Sequence, residues 1–188
     1  MLFGRIGFGY DEYRSAWILA EVRMADRESL VELVDIPASD PGAPSPAIYA
    51  NEHELLVAYH LSSRIKGDSE QIVSGLVLFE RVDTHLFGSP NDEALHGHRL
   101  AKLGLQPYRF YEVRNSTWIA DLCARNRAHP LHQDSAYAQL RHFAFTFHDT
   151  TLEVVAQAYN CSVESSEPRD CIRKRLERGW RSGIGEPQ

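Results

Sequence analysis

Residues 140–159, LRHFAFTFHDTTLEVVAQAY, carry the clearest structural pattern of this chain. Phe143, Phe145 and Phe147 alternate with polar or small residues, and a second apolar alternation follows the polar sequence HDTT. Because successive side chains of a strand point to opposite faces of a sheet, the pattern predicts a β-hairpin with one apolar face. Burial of a phenylalanine is worth roughly 1.5–3 kcal/mol, so this hairpin is expected to serve the scaffold first.

The turn of the hairpin sets the pairing of its strands. A loop centred on residues 149–150 pairs Phe147 with Leu152 and Phe145 with Val154, so that apolar side chains face each other. The second face of the hairpin is polar and is therefore a place where function could lie. This face carries His142, Thr146, His148, Thr151, Glu153 and Gln157.

Further strands and helices are predicted on both sides of the hairpin. Short apolar or alternating runs predict strands at residues 16–24, 29–36, 54–62, 71–82 and 107–115. Asn115 or Ser116 is a suitable N-cap for a helix that ends before Pro130. A basic C-terminal helix is predicted to begin near Ser166 and to stop at Gly179.

The order of these elements predicts an α+β fold with a mostly antiparallel sheet and two to three helices. A strongly curved sheet and a partly open barrel are both compatible with the pattern. Residues 1–182 are expected to form one domain, followed by a flexible tail at 183–188. The proline-rich residues 37–46 predict a loop within this domain, because too few residues precede them to form a separate core.

Composition restricts the class of protein and its partners. The 188 residues are 43% hydrophobic and 24% charged, as in folded globular proteins and unlike disordered chains. The net charge of -6 argues against nucleic acid as a global partner. Three cysteines without a Cys-x-x-Cys pair indicate a reducing, cytoplasmic location. The chain shows neither a secretory signal nor an apolar run long enough for a membrane span, so no membrane association is expected.

The stretch SPNDEALHGH, residues 89–98, is the first candidate functional segment. Ser89 suits an N-cap, Pro90 the first helical position and Asp92 the third, where its side chain can reach back to the cap. A short helix that ends at Gly97 therefore explains part of the stretch.

The helix leaves Glu93, His96 and His98 unexplained. Carboxylate and imidazole are ligands that suit zinc and related ions, so these three residues are candidate ligands of a divalent metal such as zinc. The alternative is a site without a cofactor, in which the same groups act as acids and bases. A histidine followed by an aspartate, as in the hairpin turn, can form an oriented general base. The candidate catalytic residues are therefore Asp92, Glu93, His96, His98, His148 and Asp149.

Three candidate ligand-binding residues, Arg114, Asn115 and Trp118, lie where the strand at 107–115 gives way to the following helix. No Gly-x-Ser-x-Gly, P-loop or dinucleotide-binding motif occurs in the sequence.

Two functions from different classes fit these observations. The first is a small cytoplasmic binding or accessory protein of the toxin-neutralising or regulatory type. It would act through its acidic surface on a protein partner or a small-molecule ligand. The second is a hydrolase, lyase or isomerase with an Asp/Glu/His site at residues 92–98, with or without a divalent metal. Neither the oligomeric state nor the docking partner of the basic C-terminal helix follows from the sequence.

Overall fold

The computed structural model describes residues 27–62 and 72–183 of the chain, with side chains up to residue 178. The strands in this part are β1 (Ser29–Glu32), β2 (Ala47–Ala50), β3 (Glu54–His60), β4 (Ser74–Glu80), β5 (Thr84–Gly88), β6 (Phe110–Arg114), β7 (Arg141–Thr146), β8 (Thr151–Ala156) and β9 (Ala158–Glu164). The helices are α1 (Thr117–Asn126), α2 (Asp134–Tyr137) and α3 (Pro168–Gly183), with two 3₁₀ helices at Leu95–Gly97 and Ala101–Leu103.

The strands form two sheets in which all neighbours are antiparallel. Five strands lie in the order β1-β6-β7-β8-β5, and four lie in the order β2-β3-β4-β9. The chain passes from one sheet to the other at three places, between β1 and β2, between β4 and β5, and between β8 and β9. At the last of these, the Gln157 amide donates to the Glu80 carbonyl at 3.1 Å. The predicted α+β class is confirmed, and the barrel alternative is not realised, because the strands form two sheets that do not close into a barrel.

The main hydrophobic core lies between the two sheets. The three phenylalanines of the predicted apolar face are at most 1% exposed and pack with Tyr59 and Phe79 of the four-stranded sheet. The ring centroids of Phe79 and Phe143 are 5.2 Å apart, a separation typical of favourable aromatic pairs. The hairpin thus contributes to the scaffold, as its sequence predicts.

The hairpin itself is confirmed, but the predicted register was wrong by two residues. Phe145 pairs with Leu152, and Phe143 pairs with Val154. The Phe147 amide donates to the Thr150 carbonyl at 2.8 Å, so the turn is centred on residues 148–149. Since a shift of two residues preserves the alternation, the same side chains still face the core.

Most of the other predicted elements agree with the structure. The predicted strands at 29–36, 54–62, 71–82 and 107–115 contain β1, β3, β4 and β6, whereas the predicted strand at 16–24 lies outside the described residues. Residues 37–46 form a loop with one isolated β-bridge at Ser39. Ser116 is the N-cap of α1, and its hydroxyl accepts a hydrogen bond from the Ile119 amide at 3.3 Å.

Two predicted helix features were wrong. Ser89 does not begin a helix, and only the 3₁₀ turn Leu95–Gly97 forms in residues 89–98. The Asp92 amide instead donates to the His148 carbonyl at 2.9 Å, so a tertiary contact with the hairpin turn replaces the helix start. In addition, α3 continues past Gly179 to Gly183.

The outer faces of the two sheets are covered differently. The four-stranded sheet packs against α3 through Cys171 and Ile172, which are 2% and 8% exposed. Leucines of residues 95–105 cover part of the five-stranded sheet, and α1 lies over β7. Within residues 27–62 and 72–183, no helix combines the length and apolar character needed to cross a membrane.

Candidate functional site

A buried polar cluster lies between the five-stranded sheet and the start of α1. Its histidine comes from β7 and its glutamate from β8, both on the face opposite the phenylalanines. In the observed register His142 lies opposite Val155 and Glu153 lies opposite Ala144, so the two polar residues are diagonal neighbours. Long side chains at diagonal positions reach one another, which explains how the sheet joins them.

Ser116, His142 and Glu153 form a continuous chain of hydrogen bonds. The Ser116 Oγ atom lies 2.9 Å from His142 Nδ1, and His142 Nε2 lies 2.9 Å from Glu153 Oε2. Because Glu153 can only accept when ionised, the neutral imidazole carries its proton on Nε2. Nδ1 is then an acceptor, and the Ser116 hydroxyl donates to it. The imidazole thus faces the serine with one nitrogen and the carboxylate with the other.

Electrostatics holds this cluster in a neutral histidine and ionised glutamate state. Burial lowers the pKa of His142 below its ordinary value, although Glu153 opposes this effect, and the ring has no exposed surface. Burial alone would raise the pKa of Glu153, but hydrogen bonds from His142 and His98 and the charge of Arg99 together place it below its usual range. Arg99 donates to Glu153 at 2.8 Å, and His98 Nε2 lies 3.3 Å from the other carboxylate oxygen.

The N-terminus of α1 also attracts negative charge. Glu28 accepts hydrogen bonds from the Thr117 amide at 2.9 Å and from the Thr117 hydroxyl at 3.1 Å. Arg99 approaches the same carboxylate oxygen at 3.5 Å. A carboxylate is stable here because the first amides of a helix are unpaired and carry the positive end of its dipole. The position beside Ser116 therefore stabilises an anion.

An open groove of about 750 Å³ gives access to Ser116. Its wall includes Arg114, Asn115, Ser116, Ile119 and Cys123. A volume of this size is within the range of sites that bind small molecules. Ser116 is therefore the member of the cluster that lines the groove, although it is only 8% exposed, while the ring of His142 stays buried behind it.

The three predicted ligand-binding residues lie around this serine. Arg114 and Asn115 line the groove, and the ring of Trp118 makes an edge contact with His142 at a centroid distance of 5.1 Å. The predicted catalytic residue His98 joins the same cluster through Glu153. Four of the residues singled out in the sequence are thus brought together around Ser116.

Asp92 and His148 meet at a second, more exposed place. Asp92 Oδ2 lies 3.0 Å from His148 Nδ1, and the Tyr108 hydroxyl donates to the same carboxylate. These hydrogen bonds lower the pKa of Asp92, that from Tyr108 most, and the carboxylate raises the pKa of Tyr108 to about 12. Tyr108 has a φ of 59°, in the left-handed region that non-glycine residues rarely adopt. This cluster joins three segments but lacks a nucleophile beside the histidine among its described contacts.

The remaining predicted site residues stand apart. Glu93, His96 and Asp149 are exposed. Among the described residues, the group whose ligand atoms all lie within 4.8 Å of one another is Cys123, His132 and Asp134. The structure therefore does not gather Glu93, His96 and His98 into a metal site of that kind.

The Ser116, His142 and Glu153 cluster itself was missed in the sequence. Each residue carried a separate indication: Ser116 was a predicted N-cap, and the other two were assigned to one polar face of the hairpin. A connection could have been inferred because the helix predicted to begin at Ser116 comes shortly before β7 in the sequence. Such a helix can fold back onto the polar face of the hairpin.

Comparison of the chain with known protein families, with curated proteins and with solved structures gave no match.

Proposed function

We propose that this protein is a hydrolase that cleaves small esters or amides by acyl transfer to Ser116. The observation that carries the proposal is the pair of 2.9 Å contacts that connect Ser116, His142 and Glu153 through two different ring nitrogens. A serine becomes nucleophilic when an adjacent base can take its proton, and that base must be held in orientation by a third group.

Each residue has a defined role in the reaction. Ser116 Oγ attacks the substrate carbonyl carbon while its proton passes to His142 Nδ1. Glu153 stabilises the imidazolium that forms through its hydrogen bond with Nε2. His142 then gives the proton to the leaving alcohol or amine, which leaves an acyl group on Ser116. Water attacks the acyl group with His142 as base, and the carboxylic acid product leaves the groove.

The helix start supports the charge that develops in this reaction. Attack on the carbonyl places negative charge on an oxygen beside the N-terminus of α1, where Glu28 is held in the structure. Donors aimed at such an oxygen contribute strongly to acyl transfer. Entry of substrate at this position requires the Glu28 carboxylate to give up its bond with the Thr117 amide.

Ester hydrolysis by single variants tests the proposal. Turnover of short-chain p-nitrophenyl esters is expected to fall by about 10³-fold or more in kcat/KM on Ser116→Ala, His142→Gln or Glu153→Gln. Ser162→Ala, on the exposed surface of β9, is the matched control and should retain the wild-type rate. Equal rates for the wild-type protein and a folded Ser116→Ala variant would overturn the proposal.

The cytoplasmic location expected from the cysteine pattern belongs to this proposal. It is supported by the three cysteines, which are all free thiols, including the exposed Cys161. Location by fractionation of cells that produce the protein tests this part separately.

A further inference from the structure

A second cluster of reactive side chains lies where α1 ends. Cys123 lies in the second half of the helix, His132 comes from the turn that leads into α2, and Asp134 is the first residue of α2. Cys123 Sγ lies 3.8 Å from His132 Nε2 and 3.3 Å from Asp134 Oδ1, while the last two atoms are 2.6 Å apart. One sulfur, one nitrogen and one oxygen therefore converge on a common point.

This convergence differs from the arrangement at Ser116. Both Cys123 and Asp134 approach the same nitrogen of His132, so the ring cannot relay a proton between them as His142 can. The geometry of the cluster fits a set of ligands better than a catalytic thiol.

Neighbouring side chains hold two of the ligands in place. Asn126 Nδ2 lies 3.0 Å from His132 Nδ1, the nitrogen that faces away from the cluster. Arg127 donates to Asp134 Oδ2 at 3.4 Å, which leaves Oδ1 directed at the sulfur and the ring. Metal-binding histidines commonly donate a hydrogen bond from their second nitrogen, and rotation of the Asn126 amide by 180° would place its oxygen at Nδ1 to accept that bond.

We propose that Cys123, His132 and Asp134 bind a divalent metal ion of the zinc class. Thiolate, imidazole and carboxylate together suit Zn²⁺ better than Mg²⁺ or Ca²⁺, which prefer oxygen ligands alone. Tetrahedral zinc with bonds of about 2.0–2.3 Å separates its ligand atoms by about 3.3–3.6 Å. The two distances from sulfur already approach this range, and the histidine and aspartate atoms need only move apart by about 0.7 Å.

The site would connect α1 with the segment that follows it and leave one tetrahedral position for water. Cys123 also lines the groove that contains Ser116, seven residues and about 10 Å away along the helix. The ion would therefore lie at the far end of the groove proposed to bind substrate, outside the Ser116, His142 and Glu153 cluster.

Binding of metal alone tests this inference without an activity assay. The protein, freed of metal with a chelator, is titrated with Co²⁺ while absorbance is recorded, and Zn²⁺ is then added as a competitor. The wild-type protein is expected to bind one Co²⁺ per chain with a thiolate charge-transfer band in the near ultraviolet, and Zn²⁺ should displace it.

Variants identify the ligands. Cys123→Ser should abolish the charge-transfer band, and His132→Ala should weaken Zn²⁺ binding by about 100-fold or more, with about 10- to 100-fold expected for Asn126→Ala. The controls are Cys161→Ser, which replaces an exposed thiol elsewhere, and His129→Ala, which replaces an exposed histidine in the same turn. Both should bind as the wild-type protein does.

The inference is overturned if the folded wild-type protein binds no Zn²⁺ at micromolar concentration. It is equally overturned if the charge-transfer band persists in Cys123→Ser or disappears in Cys161→Ser. Ser116→Ala is expected to bind metal normally, so failure of the proposed hydrolase and failure of the metal site are distinguishable.

Discussion

His142 is a basic group that the fold keeps neutral, and this has a consequence for stability. The ring faces Glu153, Arg99 and Glu28, but burial is the largest influence and lowers its pKa. Below pH 6.5 the unfolded chain therefore takes up a proton at this position while the folded chain does not. The direction of the effect is loss of stability as pH falls.

Stability is accordingly expected to decrease between pH 6.5 and pH 5.5 by up to about 1 kcal/mol from this group. Glu153, whose folded pKa is also lowered, adds a loss only as pH falls below about 4.5. Urea unfolding of the wild-type protein and His142→Gln at both pH values measures the difference. The free energy of unfolding of His142→Gln should fall less between the two pH values than that of the wild type. An equal fall in both proteins would show that the buried ring does not resist protonation.

Gly75 illustrates how tightly the sheet is packed at a single residue. It lies directly opposite Tyr59 in the β3 and β4 pair, and a Cβ atom at this position would come within 2.8 Å of the tyrosine ring. The ring is fully buried, and its hydroxyl donates to the Pro37 carbonyl at 2.8 Å, so it cannot move without losing that bond.

Gly75→Ala is therefore expected to destabilise the protein by about 1–3 kcal/mol. Gly97→Ala is the matched control, since no atom lies within 4 Å of the added Cβ, and its effect should stay within about 0.5 kcal/mol. Both values follow from urea unfolding curves at pH 7. A Gly75→Ala protein as stable as the wild type would mean that the sheet adapts at this point.

At the scale of elements, Asp92 joins the loop after β5 to the segment before β6 and to the hairpin turn. Its carboxylate accepts from Tyr108 and contacts His148, while its amide donates to the His148 carbonyl. The side chain is near the surface, so the effect of its charge is measured most directly as a change in the pKa of a neighbouring group.

Asp92→Asn should lower the pKa of Tyr108 from about 12 toward the ordinary value near 10, because the carboxylate that disfavours the phenolate is gone. NMR of ring-labelled tyrosine, with Tyr108→Phe to assign the resonance, measures this value. Glu93→Gln, an exposed neighbour, is the control and should leave the titration unchanged. An unaltered Tyr108 titration in Asp92→Asn would contradict the described contact.

Local sequence predicted those elements whose determinants are local. Alternating phenylalanines are enough to identify β7 and its apolar face, and Ser116 is enough to identify the start of α1. The hairpin register was missed because shifts by two residues keep the same faces, and only the turn hydrogen bond from Phe147 to Thr150 distinguishes them. The expected helix at 89–98 failed because Asp92, predicted for its first turn, makes tertiary contacts with Tyr108 and His148 instead.

At the scale of the whole molecule, the candidate site depends on contacts between distant parts of the chain. Ser116 and His142 are 26 residues apart, and His142 and Glu153 are 11 residues apart. Their meeting requires α1 to fold over the outer face of the five-stranded sheet, which no local pattern specifies. The sequence therefore supplied His98 and the groove residues Arg114 and Asn115, but not the serine and its base as a pair.

The whole-molecule charge supported a different hypothesis, a binding or accessory protein that acts through an acidic surface. That function stays a prediction, since the net charge belongs to the whole chain and does not identify a particular binding surface. The hydrolase proposal is more specific because it assigns the nucleophile and the base to single atoms.

Covalent labelling shows directly whether Ser116 is an activated nucleophile. A fluorophosphonate reacts with an activated serine, whose oxygen displaces fluoride to form a stable phosphonate ester. Intact mass and peptide mapping of the treated protein are predicted to show one adduct per chain, on Ser116, in the wild type and in Ser162→Ala. Glu153→Gln should react more slowly, and Ser116→Ala should not react. A folded wild-type protein that stays unlabelled, or a Ser116→Ala protein labelled to the same extent, would contradict the assignment of Ser116 as nucleophile.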